Sequence, residues 1–287
     1  MGLCFDMKFM DIPKKNITLK EISDFLNEEG SAKRIHFAST HVTALKRKEE
    51  GEIVGTITLP FTDTIGSILK ECINRDIVLF SSRFYNSVYR RIMTEDEFKK
   101  LEVFINEYRN IVFLRDFLDL SLALDMNYEE DCHTEIGDWE YRAKYKDDKD
   151  AEEKLGEACK EWLEKLPFFK DADYICAIPN SRKEVQLPQR IVNRMNGFGF
   201  ENISDKVYWV NKKRSLKEAV DVGEKLEILE ESGLTIDGNL DLNNKTVLLF
   251  DDLYQSGTTM QYVAMKLKQA GAQRVFGIAI VKSKSNK

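Results

Sequence analysis

Residues 247–259 read Val-Leu-Leu-Phe-Asp-Asp-Leu-Tyr-Gln-Ser-Gly-Thr-Thr: an apolar run, two carboxylates, then a small, hydroxyl-rich stretch. The run Val247, Leu248, Leu249 and Phe250 suits a strand buried on both faces, as in a parallel sheet covered by helices. That strand is expected to stop at Asp251 and Asp252, placing both carboxylates at the sheet's carboxyl edge, where ligands bind in open α/β sheets. Ser256, Gly257, Thr258 and Thr259 then offer backbone N–H groups and hydroxyls at the start of the next helix. Unpaired N–H groups and the positive end of a helix dipole both favour an anion, so phosphate is the expected guest. Met260, Val263, Ala264 and Leu267 have the spacing of a helix face packed on a sheet. Gly271 suits a left-handed position after that helix, and the apolar run 275–281 completes a strand, helix, strand crossover.

This pattern resembles the phosphoribosyl pyrophosphate (PRPP) motif of type I phosphoribosyltransferases, in which apolar residues precede two acidic residues and a small-residue phosphate loop. The resemblance implies that Asp251 and Asp252 hold the ribose hydroxyls and act at the catalytic centre. It implies too that Gln255, Ser256, Gly257, Thr258 and Thr259 wrap the 5'-phosphate. Vicinal hydroxyls donate and ionised carboxylates accept, so the pairing is chemically matched. After the strand expected at 174–178, Asn180, Ser181, Arg182 and Lys183 are similar in placement to the family's pyrophosphate loop. Lys212, Lys213 and Arg214 match its mobile basic loop, whose closure would exclude water from the reacting carbon. Magnesium is implied as cofactor, held mainly through PRPP oxygens rather than directly by the protein. Residues 136–287 are most similar to the ComF-type branch, by the 141–145 segment, the Ile178-Pro179 loop and the motif itself. Two features depart from that branch: no cysteine pattern for a zinc finger, and only Gln186, Gln189, Arg190 and Arg194 in place of an Arg-rich segment.

Gln255 narrows the implied reaction. Purine-salvage relatives carry an aspartate there that exchanges a proton with the base, and an amide cannot titrate. What remains is displacement of pyrophosphate by an unidentified nitrogen acceptor. A sensor of PRPP or a nucleotide, without turnover, is the alternative. A third reading is a nucleic-acid-associated protein, since Arg83, Tyr85, Tyr89, Arg90 and Arg91 interleave aromatic and basic residues. A second copy of the chain stays open as a partner.

The chain has 287 residues, 43% of them hydrophobic and 32% charged, with a formal net charge of −6. That balance excludes a general polyanion binder. The absence of an apolar run of about 20 residues leaves no expected membrane span, and a cytoplasmic protein is anticipated. Five cysteines, odd in number and scattered, form neither a disulfide framework nor a zinc pattern. Helix is expected at 18–27, 63–74, after the capping box Thr94/Glu97, and at 151–166. Strand is expected at 34–38, 52–59, 76–80, 111–114 and 206–210. The fold class is therefore α/β: a phosphoribosyltransferase-like parallel sheet in 136–287, and a second α/β module in 1–130, joined through the polar stretch 127–150. His36 and His41 are assigned structural roles.

Overall fold

The computed structural model describes residues 17–73, 80–81, 87–180, 185–195, 197–211 and 214–284. In chain order they form α1 (Leu19–Asn27), β1 (Arg34–His36), β2 (Leu45–Arg47), β3 (Gly55–Leu59), α2 (Ile65–Ile73), β4 (Phe80–Ser81), β5 (Val88–Ile92) and α3 (Glu95–Glu107). Next come β6 (Val112–Leu114), β7 (Leu120–Met126), β8 (Tyr128–Glu129), β9 (Cys132–His133), α4 (Glu135–Tyr145), α5 (Lys149–Lys165), α6 (Pro167–Lys170) and β10 (Tyr174–Ala177). The chain continues through α7 (Leu187–Val192), β11 (Glu201–Asn202), β12 (Val207–Trp209), α8 (Val222–Ser232), β13 (Leu234–Ile236), β14 (Thr246–Tyr254), α9 (Thr258–Gln269) and β15 (Arg274–Lys282).

A seven-stranded sheet in the order β1-β6-β7-β15-β14-β10-β11 organises these elements. From β7 to β11 the neighbours are parallel, while β6 pairs antiparallel with both β7 and β1. The chain is thus mixed α/β, with a mostly parallel sheet flanked by helices. All nine residues of β15 and all seven of β7 are buried, as strands covered on both faces must be. One face carries Leu248, Phe250, Phe276 and Ile278 against α5 and α7; the other carries Val247, Leu249 and Val275 against α8 and α9. Each such fully buried side chain contributes roughly 1.5–3 kcal/mol of transfer free energy. A four-stranded antiparallel sheet, β2-β3-β5-β4, packs its Ile57, Leu59 and Ile92 into the first of these cores.

The seven-stranded sheet runs straight across the expected junction of modules, because β1, β6 and β7 are hydrogen-bonded into it beside β15. The stretch 127–150 is not a bare connector either. It folds into the β8-β9 ribbon and α4, whose start is fixed by Thr134 Oγ1 accepting from Gly137 N–H. At the amino edge Asp119 accepts from the Val275 N–H at 2.8 Å and pairs with Lys268 at 2.8 Å, tying the start of β7 to β15 and the end of α9. The N-cap half of the expected capping box is present, with Thr94 Oγ1 accepting from Glu97 N–H, while the Glu97 carboxylate accepts from Arg90 Nε at 2.6 Å. The strand expected at 76–80 is described only at Phe80–Ser81.

Candidate functional site

Strand β14 does not stop at its carboxylates. It continues to Tyr254, because β15 offers a ladder partner that far: Leu253 pairs with Val281 and Tyr254 with Lys282. Asp251 and Asp252 therefore lie within a strand, where successive side chains point to opposite faces. Asp251 lines a cavity of about 330 Å³ together with Gln255, Ser256, Gly257, Thr258 and Thr259. Asp252 is not on that wall; its Oδ2 lies 2.9 Å from Lys144 Nζ on α4. Lys144 also pairs with Glu140 one turn earlier, at 3.2 Å. Burial pushes the Glu140 carboxyl above its usual range, with Lys144 opposing and Asp252 adding to the shift. The same two carboxylates, against the opposing effect of burial, hold the Lys144 ammonium well above the ordinary lysine value.

The loop after β14 is built around one glycine. Gly257 has φ +76°, and a Cβ placed there would lie 2.1 Å from Tyr254 Oη. Tyr254 cannot yield easily: its buried hydroxyl donates to Asp116 Oδ2 at 2.9 Å, and Asp116 Oδ1 accepts from Leu118 N–H at 3.0 Å. Burial first, then the Asp116 charge, holds that phenol far above its normal range. Glycine is thus required by conformation and by space. The turn delivers the chain to α9, whose N-cap Gly257 supplies no side-chain hydrogen bond, whereas α1, α3, α4, α5 and α8 are each capped by a Thr or Asp side chain. Ser256 Oγ and Thr258 Oγ1 are 2.8 Å apart, two hydroxyls turned together at the mouth of the helix.

Among the described residues two cations join the wall: Lys217, in the loop before α8, and Lys225, on α8. Neither was singled out by sequence, since only the fold brings 217–225 over the loop at 255–259. One carboxylate, an uncapped helix start and two ammonium groups around one cavity suit a ligand with both an anionic end and hydroxyl donors. Among the described residues no cluster of three or more His, Cys, Asp or Glu side chains is arranged to hold a metal ion.

Asn180 follows β10 past the sheet edge, where Ile178 N–H donates to the Phe250 carbonyl at 2.8 Å and Trp209 Nε1 donates to the Pro179 carbonyl at 2.8 Å. Ser181, Arg182 and Lys183 lie outside the described residues, as do Lys212 and Lys213. Arg214 is off the cavity wall and pairs with Glu224 at 3.1 Å on the surface. Arg190 and Arg194 converge on Glu152 of α5, at 2.8 Å and 2.9 Å. That fork clamps α7 to α5. In the segment considered for nucleic acid, Arg83 and Tyr85 lie outside the described residues and Arg90 Nε pairs with Glu97 at 2.6 Å.

No family model matches the chain, and no curated protein matches it. Among solved structures, a hypoxanthine phosphoribosyltransferase from Staphylococcus aureus in a tetragonal crystal form is similar at 14% identity, over 47% of this chain and 68% of that chain, with a TM-score of 0.33. Its orthorhombic form gives 15% identity, 47% and 69% coverage, and a TM-score of 0.30. No described helix is long and apolar enough to cross a membrane.

Proposed function

We propose that this protein binds PRPP with magnesium and transfers its phosphoribosyl group to a nitrogen acceptor, releasing pyrophosphate. The observation that carries this reading is the single cavity that joins Asp251 to the Gly257 turn and the uncapped start of α9. The 5'-phosphate sits at that helix start, with Ser256, Thr258 and Thr259 donating to its oxygens. Asp251 accepts from the ribose hydroxyls. Asp252, committed to Lys144, joins it only by giving up that ion pair. Each charge-assisted hydrogen bond so formed contributes roughly 1.5–3 kcal/mol.

Magnesium would be held mainly through PRPP oxygens and waters, the ligands that ion keeps by preference, with the Asp251 carboxylate facing the same cavity. Bound with the diphosphate, the ion would supply neutralisation of the leaving group's charge. Lys217 and Lys225 add positive charge on the same wall. Gln255 has no titratable proton, so the acceptor must arrive as a competent nucleophile. This disfavours purine bases that need a general base and favours amines. The ComF-type assignment of 136–287 belongs to the same proposal.

The test is thermal unfolding with PRPP and magnesium, followed by pyrophosphate release across a panel of bases and amines. Stabilisation should grow with ligand concentration and vanish in Asp251→Asn while the unliganded melting temperature is kept. Wild-type protein that gains no stability from PRPP would refute the reading. Stabilisation without pyrophosphate release across the panel would convert it into that of a PRPP sensor.

A further inference from the structure

The carboxyl edge of the sheet carries a second cavity, also of about 330 Å³, and no described residue lines both. It lies where the ends of β1 and β7 meet α4 and α5, away from everything assigned above. Its deep end is His36 and Asp125: His36 is 2% exposed, and its Nε2 lies 4.0 Å from Asp125 Oδ1 without a hydrogen-bond partner. His36 Nδ1 is engaged with Ser39 Oγ at 2.7 Å, so the ring is oriented while its other nitrogen is left over. A buried polar atom without a partner is costly in a folded protein, and it points to a ligand that completes it.

The walls decide what kind of ligand. Asp125, Glu129, Glu135 and Glu161 all contribute, and no lysine or arginine lines the cavity among the described residues. Anions are excluded by that balance. Trp139 and Trp162 form the sides, and indole faces attract cations. Lys154 stands over Trp139 at 5.9 Å and Lys165 over Trp162 at 4.7 Å, with Lys165 also 2.6 Å from Glu161, so an entering cation takes the ring faces and carboxylate oxygens that these lysines leave open. The start of α4 brings some positive potential to the wall, but Thr134 caps it and Glu135 stands in its first turn. Because the carboxylates are spread around the cavity and do not gather into a metal-binding group, a bare divalent ion would meet only one or two of them. An elongated cation can reach several.

We infer that this second cavity binds a small organic cation carrying more than one N–H donor group, of the alkylammonium or guanidinium class. One cationic end meets Asp125 beside His36, the stem lies along Trp139 and Trp162, and the outer end meets the exposed rim carboxylates. Buried Asp125 supplies selectivity, while Glu129, Glu135 and Glu161 supply salt-sensitive attraction. The inference does not depend on the PRPP reading.

Calorimetric titration of the full chain with agmatine, which carries an ammonium and a guanidinium, tests it against a neutral diol of similar length. Agmatine should bind saturably, and the diol should not. Asp125→Asn should weaken agmatine about tenfold or more. Glu135→Gln with Glu161→Gln, which leaves the buried pair untouched, should weaken it less and flatten its salt dependence. Asp251→Asn should leave it unchanged, which separates this cavity from the phosphate loop. Absence of saturable agmatine binding, equal binding of the diol, or loss of binding in Asp251→Asn overturns the inference. Should Asp125→Asn fail to fold, unchanged affinity and salt dependence in the rim variant do the same.

Discussion

Replacing Lys144 by Met removes the cation that α4 sets between Asp252 and Glu140. The side chains are 24%, 13% and 8% exposed respectively, so the cluster is shielded without being sealed. At an effective dielectric constant of about 20, the 2.9 Å and 3.2 Å pairs are each worth roughly 5–6 kcal/mol of gross attraction, offset by desolvation and by repulsion between the carboxylates. Removing one partner of a buried pair costs about 3–5 kcal/mol, and the residual exposure of Lys144 puts the expectation near the lower bound, about 3 kcal/mol. The loss should depend on pH. Glu140 is held above its unfolded pKa by burial even with Lys144 present, and losing Lys144 raises it further. A carboxyl raised in the folded state makes that state bind more protons, so stability is lost as pH rises from the unfolded value through the folded one. The Lys144→Met deficit should therefore be small at acid pH and full at mildly alkaline pH. Urea unfolding across that range measures it, with the m-value as a check on two-state behaviour. Adding Glu140→Gln should recover part of the loss. A deficit below about 0.5 kcal/mol, within the range of ordinary surface substitutions, or one that is flat with pH, refutes the reasoning.

Gly257→Ala should lose about 3 kcal/mol or more, since it combines left-handed strain with displacement of Tyr254 from Asp116, and should abolish stabilisation by PRPP; unaltered melting would show that the turn tolerates a side chain. Lys282 is 2% exposed, and burial, aided by Arg34, holds its amine down to about 7. The folded state disfavours the charged form, so stability rises with pH from about 7 toward the unfolded lysine value. Lys282→Met should consequently stabilise the protein by about 2–4 kcal/mol at neutral pH and below, with little gain in strong base, as read by denaturant titration. His36 is held down to about 4, by burial first and then Arg34, while burial raises Asp125 to about 6 with Glu129 and Glu135 adding to it. Neutral His36 contributes stability that grows with pH over 4–6.5, and Asp125 removes stability over almost the same interval, so the two slopes nearly cancel. His36→Gln should expose a fall in stability from pH 4 to 6 and Asp125→Asn a rise; parallel profiles for both variants would contradict that balance.

The sequence was most legible where one element settles its own environment. The apolar run at 247–250, the stripe on α9 and the turn glycine each state locally what they pack against. Strand β7 was not legible: Leu-Ser-Leu-Ala-Leu-Asp-Met has Ser121 and Asp125 among its seven buried positions, and its place beside β15 is decided by a partner far along the chain. Helix α4 was hidden for another reason. It buries Gly137, Glu140 and Ala143, two small residues and an acid, so no hydrophobic period marks it. The candidate site divides in the same way. Asp251 and the 255–259 loop could be read directly, whereas the opposite facing of Asp252 needed the strand to continue through it. Lys217, Lys225 and the His36–Asp125 pair needed the tertiary fold.

Inserting β7 next to β15 also sets an order of events during synthesis. Leu120 leaves the ribosome about 150 residues before Phe276, its partner in the ladder, so at ordinary translation speeds β7 waits roughly 10–30 s for its neighbour. Throughout that interval its apolar edge is bare, with β6 alone to cover it on the other side. A nascent chain of this design is therefore a natural client for a holding chaperone, and slower codons between β7 and β15 would lengthen its exposure rather than help it fold.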